Sequence, residues 1–388
     1  MRLATACLVV ILNAACTGTP VASPSSSASA AAATASTATA SQTAPITATS
    51  TPGGTRRPSI SVKTTAVAAI PKDFAYVESS PGIDVTLWLV DLSRAAPPVA
   101  VARWTGGNGT YAASRDGRTI VISSPGDRSK YALHLVRPLT GEATVLFDGP
   151  PDGRVFYPRL SPDGRSFAFL EQRDSGSDGI WIGDVATGVA RQLVPVPATA
   201  PPPKPLDWSE DGQWLAYFNA DIGPGQGCCL FIENVVDGRR VRLGVGNVVS
   251  WRAQEPRLVA SAQTGKGDQG AFGAAVYTFA VALEQRTDLF AVDPRITQLA
   301  WSPTKDEFLY LQDTTGCPYA STLWVRARTG DARRIGTLST VQRAWWSSDG
   351  SALYALIHGD GAAGLIVDTA TSRSIATIPG DAPTRACP

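Results

Sequence analysis

From about residue 60 onward the chain reads as short apolar runs separated by tight polar breaks. Apolar positions repeat every second residue, as at Phe167 and Phe169 or at Trp214, Ala216 and Phe218, and that period predicts strands that bury one face. No helical period is sustained anywhere in this region. The breaks carry turn chemistry: Asp-Gly pairs give a tight hairpin, because Gly accepts a positive φ and Asp caps the turn.

One phrase built on such a break recurs. It reads Leu160-Ser-Pro-Asp-Gly-Arg-Ser-Phe-Ala-Phe169, Trp208-Ser-Glu-Asp-Gly-Gln-Trp-Leu-Ala-Tyr217, Trp301-Ser-Pro-Thr-Lys-Asp-Glu-Phe-Leu-Tyr310 and Trp346-Ser-Ser-Asp-Gly-Ser-Ala-Leu-Tyr-Ala355. Ala113-Ser-Arg-Asp-Gly117 and Trp251-Arg-Ala-Gln-Glu255 are shorter copies. Aligning Phe74-Ala75-Tyr76 with Phe167-Ala168-Phe169 places a seventh at Val67. The starts at 67, 113, 160, 208, 251, 301 and 346 are 43 to 50 residues apart, the length of one four-stranded propeller blade. Within a unit, the strand after the turn is followed by a third, such as Leu87-Trp88-Leu89, Ile180-Trp181-Ile182 or Leu323-Trp324-Val325, then by a second turn such as Thr187-Gly188 and a closing strand. Seven of the ten Trp fall at two positions of the repeat, the phrase start and the middle of the third strand. Large rings at fixed sites predict packing between blades; a row of rings stacking on carbohydrate is the alternative. The expected fold is all-β, a β-propeller of seven four-stranded blades, with six as the alternative count.

The Ser-Pro-Asp-Gly turns, the Phe-Ala-Phe and Leu-Ala-Tyr strands and the Ile-Trp-Ile strand resemble the TolB-type, WD-like propeller repeat over residues 60–379. The resemblance implies a non-enzymatic platform of the cell envelope that seats a protein or peptide at the mouth of its central channel. Seven units here, against the six typical of TolB itself, and the absence of its helical N-terminal domain prevent TolB's own partners from being carried over.

The first residues read as an export address. Arg2 precedes the apolar stretch Leu3–Leu12, too short to span a bilayer. Asn13-Ala14-Ala15-Cys16 resembles a bacterial lipoprotein box, which implies that Cys16 becomes a lipidated N-terminus; Asn13 stands where the box usually carries Leu. Cleavage after Ala14 or Ala15 to release a soluble secreted protein is the other outcome. Thr17–Thr55 is almost only Ala, Ser, Thr and Pro with no charge, so it cannot bury enough apolar area to offset its ordering entropy. It is expected to be a disordered tether. The organisation read from sequence is therefore 1–15 signal peptide, 16–57 tether and 58–388 propeller.

Charge and side-chain chemistry narrow the function. With 34 basic and 33 acidic residues the chain has net charge +1, and neither nucleic acid nor a polybasic membrane contact is expected. There are only two His. His134 lies where Trp88 and Trp181 lie in their units and is expected to fill a packing slot; His358 is expected on a loop. The turn residues Asp116, Asp163, Asp211 and Asp349 are expected to cap hairpins. Arg173–Gly179 has calcium-loop spacing without an EF-hand frame. No nucleophile elbow, P-loop or dinucleotide fingerprint occurs. No catalytic residue, metal or cofactor is expected. Cys228, Cys229, Cys317 and Cys387 are disulfide candidates with three connectivities; Cys317 with Cys387 is preferred, to pin the C-terminal segment and help close the ring. Loops at Asp221–Gly227, Gln263–Ala274, Gln312–Ser321 and Val194–Leu206 share the cysteine-bearing face and are the expected binding surface. The reading is a monomeric, extracytoplasmic, lipid-anchored binding module for an envelope protein or peptide, with glycan as a further ligand class. The alternative is an extracytoplasmic hydrolase or lyase with an unrecognised channel site.

Overall fold

The computed structural model describes residues 62–379, apart from stretches at 81–82, 106–109, 126–130, 175–177, 197–202, 220–228, 247, 254, 265–272, 293–295, 314–320, 336–340 and 359–363. It forms seven four-stranded antiparallel sheets. The first holds β1 (Lys63–Thr64), β2 (Phe74–Ser79), β3 (Asp84–Asp91) and β4 (Val99–Thr105), and the second β5 (Thr110–Ala113), β6 (Ile120–Pro125), β7 (Tyr131–Arg137) and β8 (Glu142–Asp148). The third holds β9 (Gly153–Leu160), β10 (Ser166–Arg173), β11 (Asp178–Asp184) and β12 (Ala190–Val196); the fourth β13 (Lys204–Trp208), β14 (Trp214–Asn219), β15 (Cys229–Asn234) and β16 (Arg240–Val245). The fifth holds β17 (Val248–Trp251), β18 (Arg257–Thr264), β19 (Gly273–Ala280) and β20 (Gln285–Val292), and the sixth β21 (Ile296–Trp301), β22 (Glu307–Asp313), β23 (Ser321–Ala327) and β24 (Ala332–Arg334). The seventh holds β25 (Val341–Trp346), β26 (Leu353–His358), β27 (Gly364–Asp368) and β28 (Ser374–Ile378).

The core lies between sheets rather than within any one of them. Phe167 and Phe169 of β10 pack on Val121, Leu133 and Leu135 of the second sheet, while Ala168 between them faces Trp208 and Tyr217 of the fourth. Every sheet thus buries both faces, as the two-residue period requires. Comparable clusters join the first sheet to the second, the fourth to the fifth, the fifth to the sixth and the sixth to the seventh. The last closes the ring, with Ala75, Val77 and Val90 against Tyr354, Leu356 and Ile366.

The recurring phrase builds the same turn in its four Ser-x-Asp-Gly copies. Ser161 Oγ donates to Asp163 Oδ1 (2.6 Å) and accepts from the Ser166 amide (2.9 Å), and the Arg165 amide donates to Asp163 Oδ1 (3.1 Å). Ser114 with Asp116, Ser209 with Asp211 and Ser347 with Asp349 repeat the hydroxyl–carboxylate bond at 2.6–2.7 Å, so the four Asp are turn caps as expected. The phrase-start indoles stitch neighbouring sheets: Trp208 Nε1 donates to Arg159 O (3.3 Å), Trp251 Nε1 to Asp207 O (3.3 Å) and Trp346 Nε1 to Ala300 O (3.1 Å). These rings are packing elements.

The first sheet departs from the expected pattern in two ways. Ala75 and Val77 face the seventh sheet, whereas Phe74 and Tyr76 face the second. The equivalents of Phe167 and Phe169 are therefore Ala75 and Val77, one residue out of step with the alignment that put a phrase start at Val67. A one-residue slip exchanges the two faces of a strand, and the bulky Tyr76 misled the alignment. The second departure is strand order. Six sheets run inward to outward in chain order, but the first is ordered β1-β4-β3-β2. The segment expected as its inner strand instead adds β1 to the outer strand β4, through Lys63 opposite Arg103 and Thr64 opposite Ala102. Thr64 Oγ1 is anchored to Gly141 O (2.5 Å) and the Val67 amide to Pro138 O (2.8 Å).

Two matched glycines test the sheet-to-sheet contact. Gly188 and Gly238 both sit in the turn after the third strand, with φ +69° and +75°, but a Cβ on Gly188 would lie 2.5 Å from the Leu146 carbonyl oxygen whereas Gly238 has nothing within 4 Å. Gly238→Ala is expected to cost only the left-handed backbone penalty, about 1 kcal/mol, and Gly188→Ala distinctly more, read as urea midpoints. A second test concerns His134, which is 1% exposed with neither ring nitrogen hydrogen-bonded to protein. Burial pushes its pKa down to about 4, partly offset by Asp148. The unfolded chain therefore binds a proton that the folded chain refuses, and stability falls as pH drops from about 6.5 toward about 4. His134→Phe is expected to remove about 1–2 kcal/mol of acid sensitivity between pH 7 and pH 5, read as the difference in unfolding free energy.

Candidate functional site: the channel wall

The inner strands that surround the channel are irregular. Pairing of β9 with β10 skips Tyr157 and Pro158, β13 skips Leu206, β21 skips Thr297 and β25 skips Gln342. Such bulges bend a strand and re-aim the next side chain. The residues that directly follow them are Arg159, Asp207, Gln298 and Arg343. Tyr157 has φ 51°, a left-handed conformation costing about 1–3 kcal/mol in a residue with a side chain. Its amide is held by Thr110 Oγ1 at 2.9 Å. Backbone strain of this kind collects at functional sites.

A cavity of about 670 Å³ is lined by β2, β5, β9, β13 and β25. Its wall carries four cations, Arg115, Arg159, Lys204 and Arg343, against two carboxylates, Glu78 and Asp207. Arg159 is fixed by donating to Leu206 O (2.6 Å) and Pro158 O (2.8 Å). Lys204 Nζ lies 4.6 Å from the centre of the Tyr157 ring and the Arg343 guanidinium 5.5 Å from that of Trp345, contacts that hold a cation over a π face. Arg343 Nη1 also approaches Tyr111 Oη at 3.5 Å, and Arg115 is paired with Glu210 at the adjoining rim.

Enclosure shifts the protonation of these groups. Burial pushes Asp207 up to about 6, against the opposing pull of Arg159, of the Trp208 amide and of Arg115. Glu78 is raised in the same way, with Arg343 opposing; it still meets channel water, so screening tempers the shift. Lys204 is lowered by burial and by the Arg159 charge beside it. The wall is an electropositive surface with aromatic faces, suited to binding carboxylates.

Of the residues nominated from sequence, the structure brings Lys204 and Leu206, the end of the Val194–Leu206 segment, into this cavity. Cys16, Cys228, Cys317 and Cys387 lie outside the described residues, as do most of the four nominated loops. Cys229 opens β15, where its buried Sγ accepts from Arg242 Nε (3.2 Å) and Nη2 (2.8 Å). His358 is the last residue of β26, paired with Gly364, rather than part of the loop that follows. Sequence reasoning missed Arg159, Asp207 and Arg343, and reached Lys204 only as part of the Val194–Leu206 segment. The only signal was position: each lies one to four residues before a phrase start, on the strand that borders the channel.

No protein-family model and no curated protein matches the sequence. Solved structures do resemble it. Oligogalacturonate lyase in complex with manganese shares 12% identity over 80% of this chain and 90% of that one, with TM-score 0.53. The tricorn protease shares 11% over 80% of this chain, with TM-score 0.52, and this chain spans only 35% of its length. TolB from Acinetobacter baumannii shares 16% over 67% of this chain and 65% of that chain, with TM-score 0.47. This chain is a seven-bladed β-propeller. At such identities the likeness establishes the fold alone. The lyase's manganese also raises a question that the residues answer: among the described residues no three His, Cys, Asp or Glu are grouped to hold a metal ion, and His134 is sealed in the core. The donor set does not fit.

The raised Asp207 gives a test of this environment. A carboxylate whose folded pKa lies above its unfolded value makes the fold less stable as pH rises from about 4 to about 6, with no further change above. Asp207→Asn is expected to raise stability by about 1 kcal/mol above pH 7, after discounting for channel water, and to be neutral below about pH 4. Thermal melts across that range check it.

Proposed function

We propose that this propeller is a non-enzymatic binding module of the cell envelope, exported by its N-terminal signal and anchored through a lipid on Cys16, which seats a protein or peptide partner in the channel. The observation that carries this reading is the channel wall: four cations interleaved with Tyr111, Tyr157 and Trp345, against two carboxylates. Guanidinium groups held by backbone carbonyls and by aromatic faces are preorganised to receive carboxylates. No His stands among the lining residues, and each of the two carboxylates feels a neighbouring guanidinium, Asp207 that of Arg159 and Glu78 that of Arg343. The uncharged Ala/Ser/Thr/Pro stretch would give the domain reach from the membrane: at about 5–6 Å × √n for a flexible coil, some forty residues span a few tens of ångströms. A Cys317–Cys387 bridge remains part of the proposal as a staple for the C-terminal segment.

The competing reading is a channel hydrolase or lyase, and one experiment separates them. The purified chain is screened in parallel for binding to acidic and basic peptides and for turnover of oligogalacturonate and peptidase substrates. Binding of acidic peptides without turnover is expected, weakened about tenfold by Lys204→Ala or Arg343→Ala. Turnover lost in the same two variants would overturn the binding reading. For the anchor, Cys16→Ala is expected to move the protein from the membrane to the soluble fraction and to abolish lipid incorporation by mass spectrometry.

A further inference from the structure

Among the described residues, the first blade has no strand that lines the channel as in the other six. Its strand β2 lies level with the second strands of its neighbours: Ala75 and Val77 pack on Tyr354 and Leu356 of β26, and Tyr76 packs on Ile120 and Ile122 of β6. The blade is therefore not shifted inward, and no described residue takes the place of an inner strand between β25 and β5, which is continuous with the channel cavity.

That opening exposes one edge of β2. The Leu92 amide donates to Asp73 O, which fixes the parity of the ladder: residues 73, 75, 77 and 79 exchange hydrogen bonds with β3. The amides and carbonyls of Phe74, Tyr76 and Glu78 consequently point into the open lane. A side chain stands in for one missing partner, since Tyr111 Oη donates to Tyr76 O at 2.6 Å.

We propose that this lane is a docking site for an extended acidic peptide of a partner protein, which adds to β2 as the missing inner strand of the first blade. The inference rests on the binding-module reading and specifies how the partner is held. Edge backbone groups supply affinity without regard to sequence, and side-chain surroundings supply selectivity. The two walls of the lane differ. Arg343 and Trp345 of β25 stand on one side, and Tyr111 and Ala113 of β5 on the other. A strand presents successive side chains to opposite sides, so a peptide alternating acidic and apolar residues matches both. Inner strands of the other blades are 4 to 8 residues long, which sets the length of peptide the lane accepts. The cation excess of the cavity decides the sign of its charge.

The test uses the full chain with three labelled hexapeptides: alternating valine and glutamate, the same with lysine for glutamate, and the glutamate peptide N-methylated at alternate amides. Affinity is read by fluorescence anisotropy and amide exchange of Phe74, Tyr76 and Glu78 by residue-resolved hydrogen exchange. The glutamate peptide is expected to bind and to slow exchange at those amides. The lysine and N-methylated peptides are expected to bind at least about tenfold more weakly. Arg343→Glu, an exposed change, is expected to weaken the glutamate peptide about tenfold with the melting temperature unchanged. Binding that ignores N-methylation and leaves the three amides unprotected would overturn strand docking and leave the binding-module reading intact. Slow exchange already present in the free chain, and lost on deleting residues 380–388, would show that the chain fills the lane itself and would overturn the proposal. If none of the peptides binds and no ligand of the wider screen binds either, the binding-module reading fails as well.

Discussion

The structure depends on one constraint: each sheet is apolar on both faces, so none can be buried without a neighbour on either side. In β10 two phenylalanines face one way and an alanine the other, and both sides are sealed. A stack of such sheets ends only by closing on itself. Closure here is by packing, as Ala75, Val77 and Val90 meet Tyr354, Leu356 and Ile366, and by the Ser348 amide, which donates to Asp73 Oδ1 at 2.6 Å, with no strand exchanged between the first and seventh sheets among the described residues. The ring is held by the hydrophobic effect and by short polar stitches, which set its register.

Those stitches are what the phrase encodes. The Ser and Asp of the four Ser-x-Asp-Gly turns satisfy one another and the local amides, so those turns can crowd at one face without leaving these polar groups unpaired. Where the phrase starts with Trp208, Trp251 or Trp346, the indole then reaches the backbone of the preceding blade. A single motif of ten residues therefore sets the hairpin, the inter-blade spacing and the position of the inner strand. The bulges just upstream of it free the inner strand to aim Arg159, Asp207 and Arg343 at the channel. Scaffold and site are coupled: the regular part of each unit fixes the irregular part in space.

Asymmetry enters at the first blade. Chain symmetry would give it an inner strand, but β1 is spent on the outer edge, and β2 turns an edge with no strand partner among the described residues toward the channel. The same region holds the cation excess and the strained Tyr157. Register shifts also occur between third and fourth strands. What distinguishes this place on the channel wall is that bulged inner strands, the strained Tyr157 and the cation excess meet there.

The repeat, the strand class, the turn caps and the packing role of the tryptophans were all legible in the sequence, because each follows from local spacing and side-chain type. His134 likewise occupies a buried slot at the position its offset indicates. Of the channel site only the Val194–Leu206 segment, with Lys204, had been singled out. Arg159, Lys204, Asp207 and Arg343 come from three different blades, and nothing in the local chain says that they converge. Nor could residue type reveal the face assignment of β2, where Tyr76 imitates the pattern of Phe169 one residue out of register. Sequence by itself determined the unit, because turns and alternation are short-range. Only the tertiary structure decided how the ring meets itself and what faces its axis, because those depend on which edges are left over once every unit has found its neighbours.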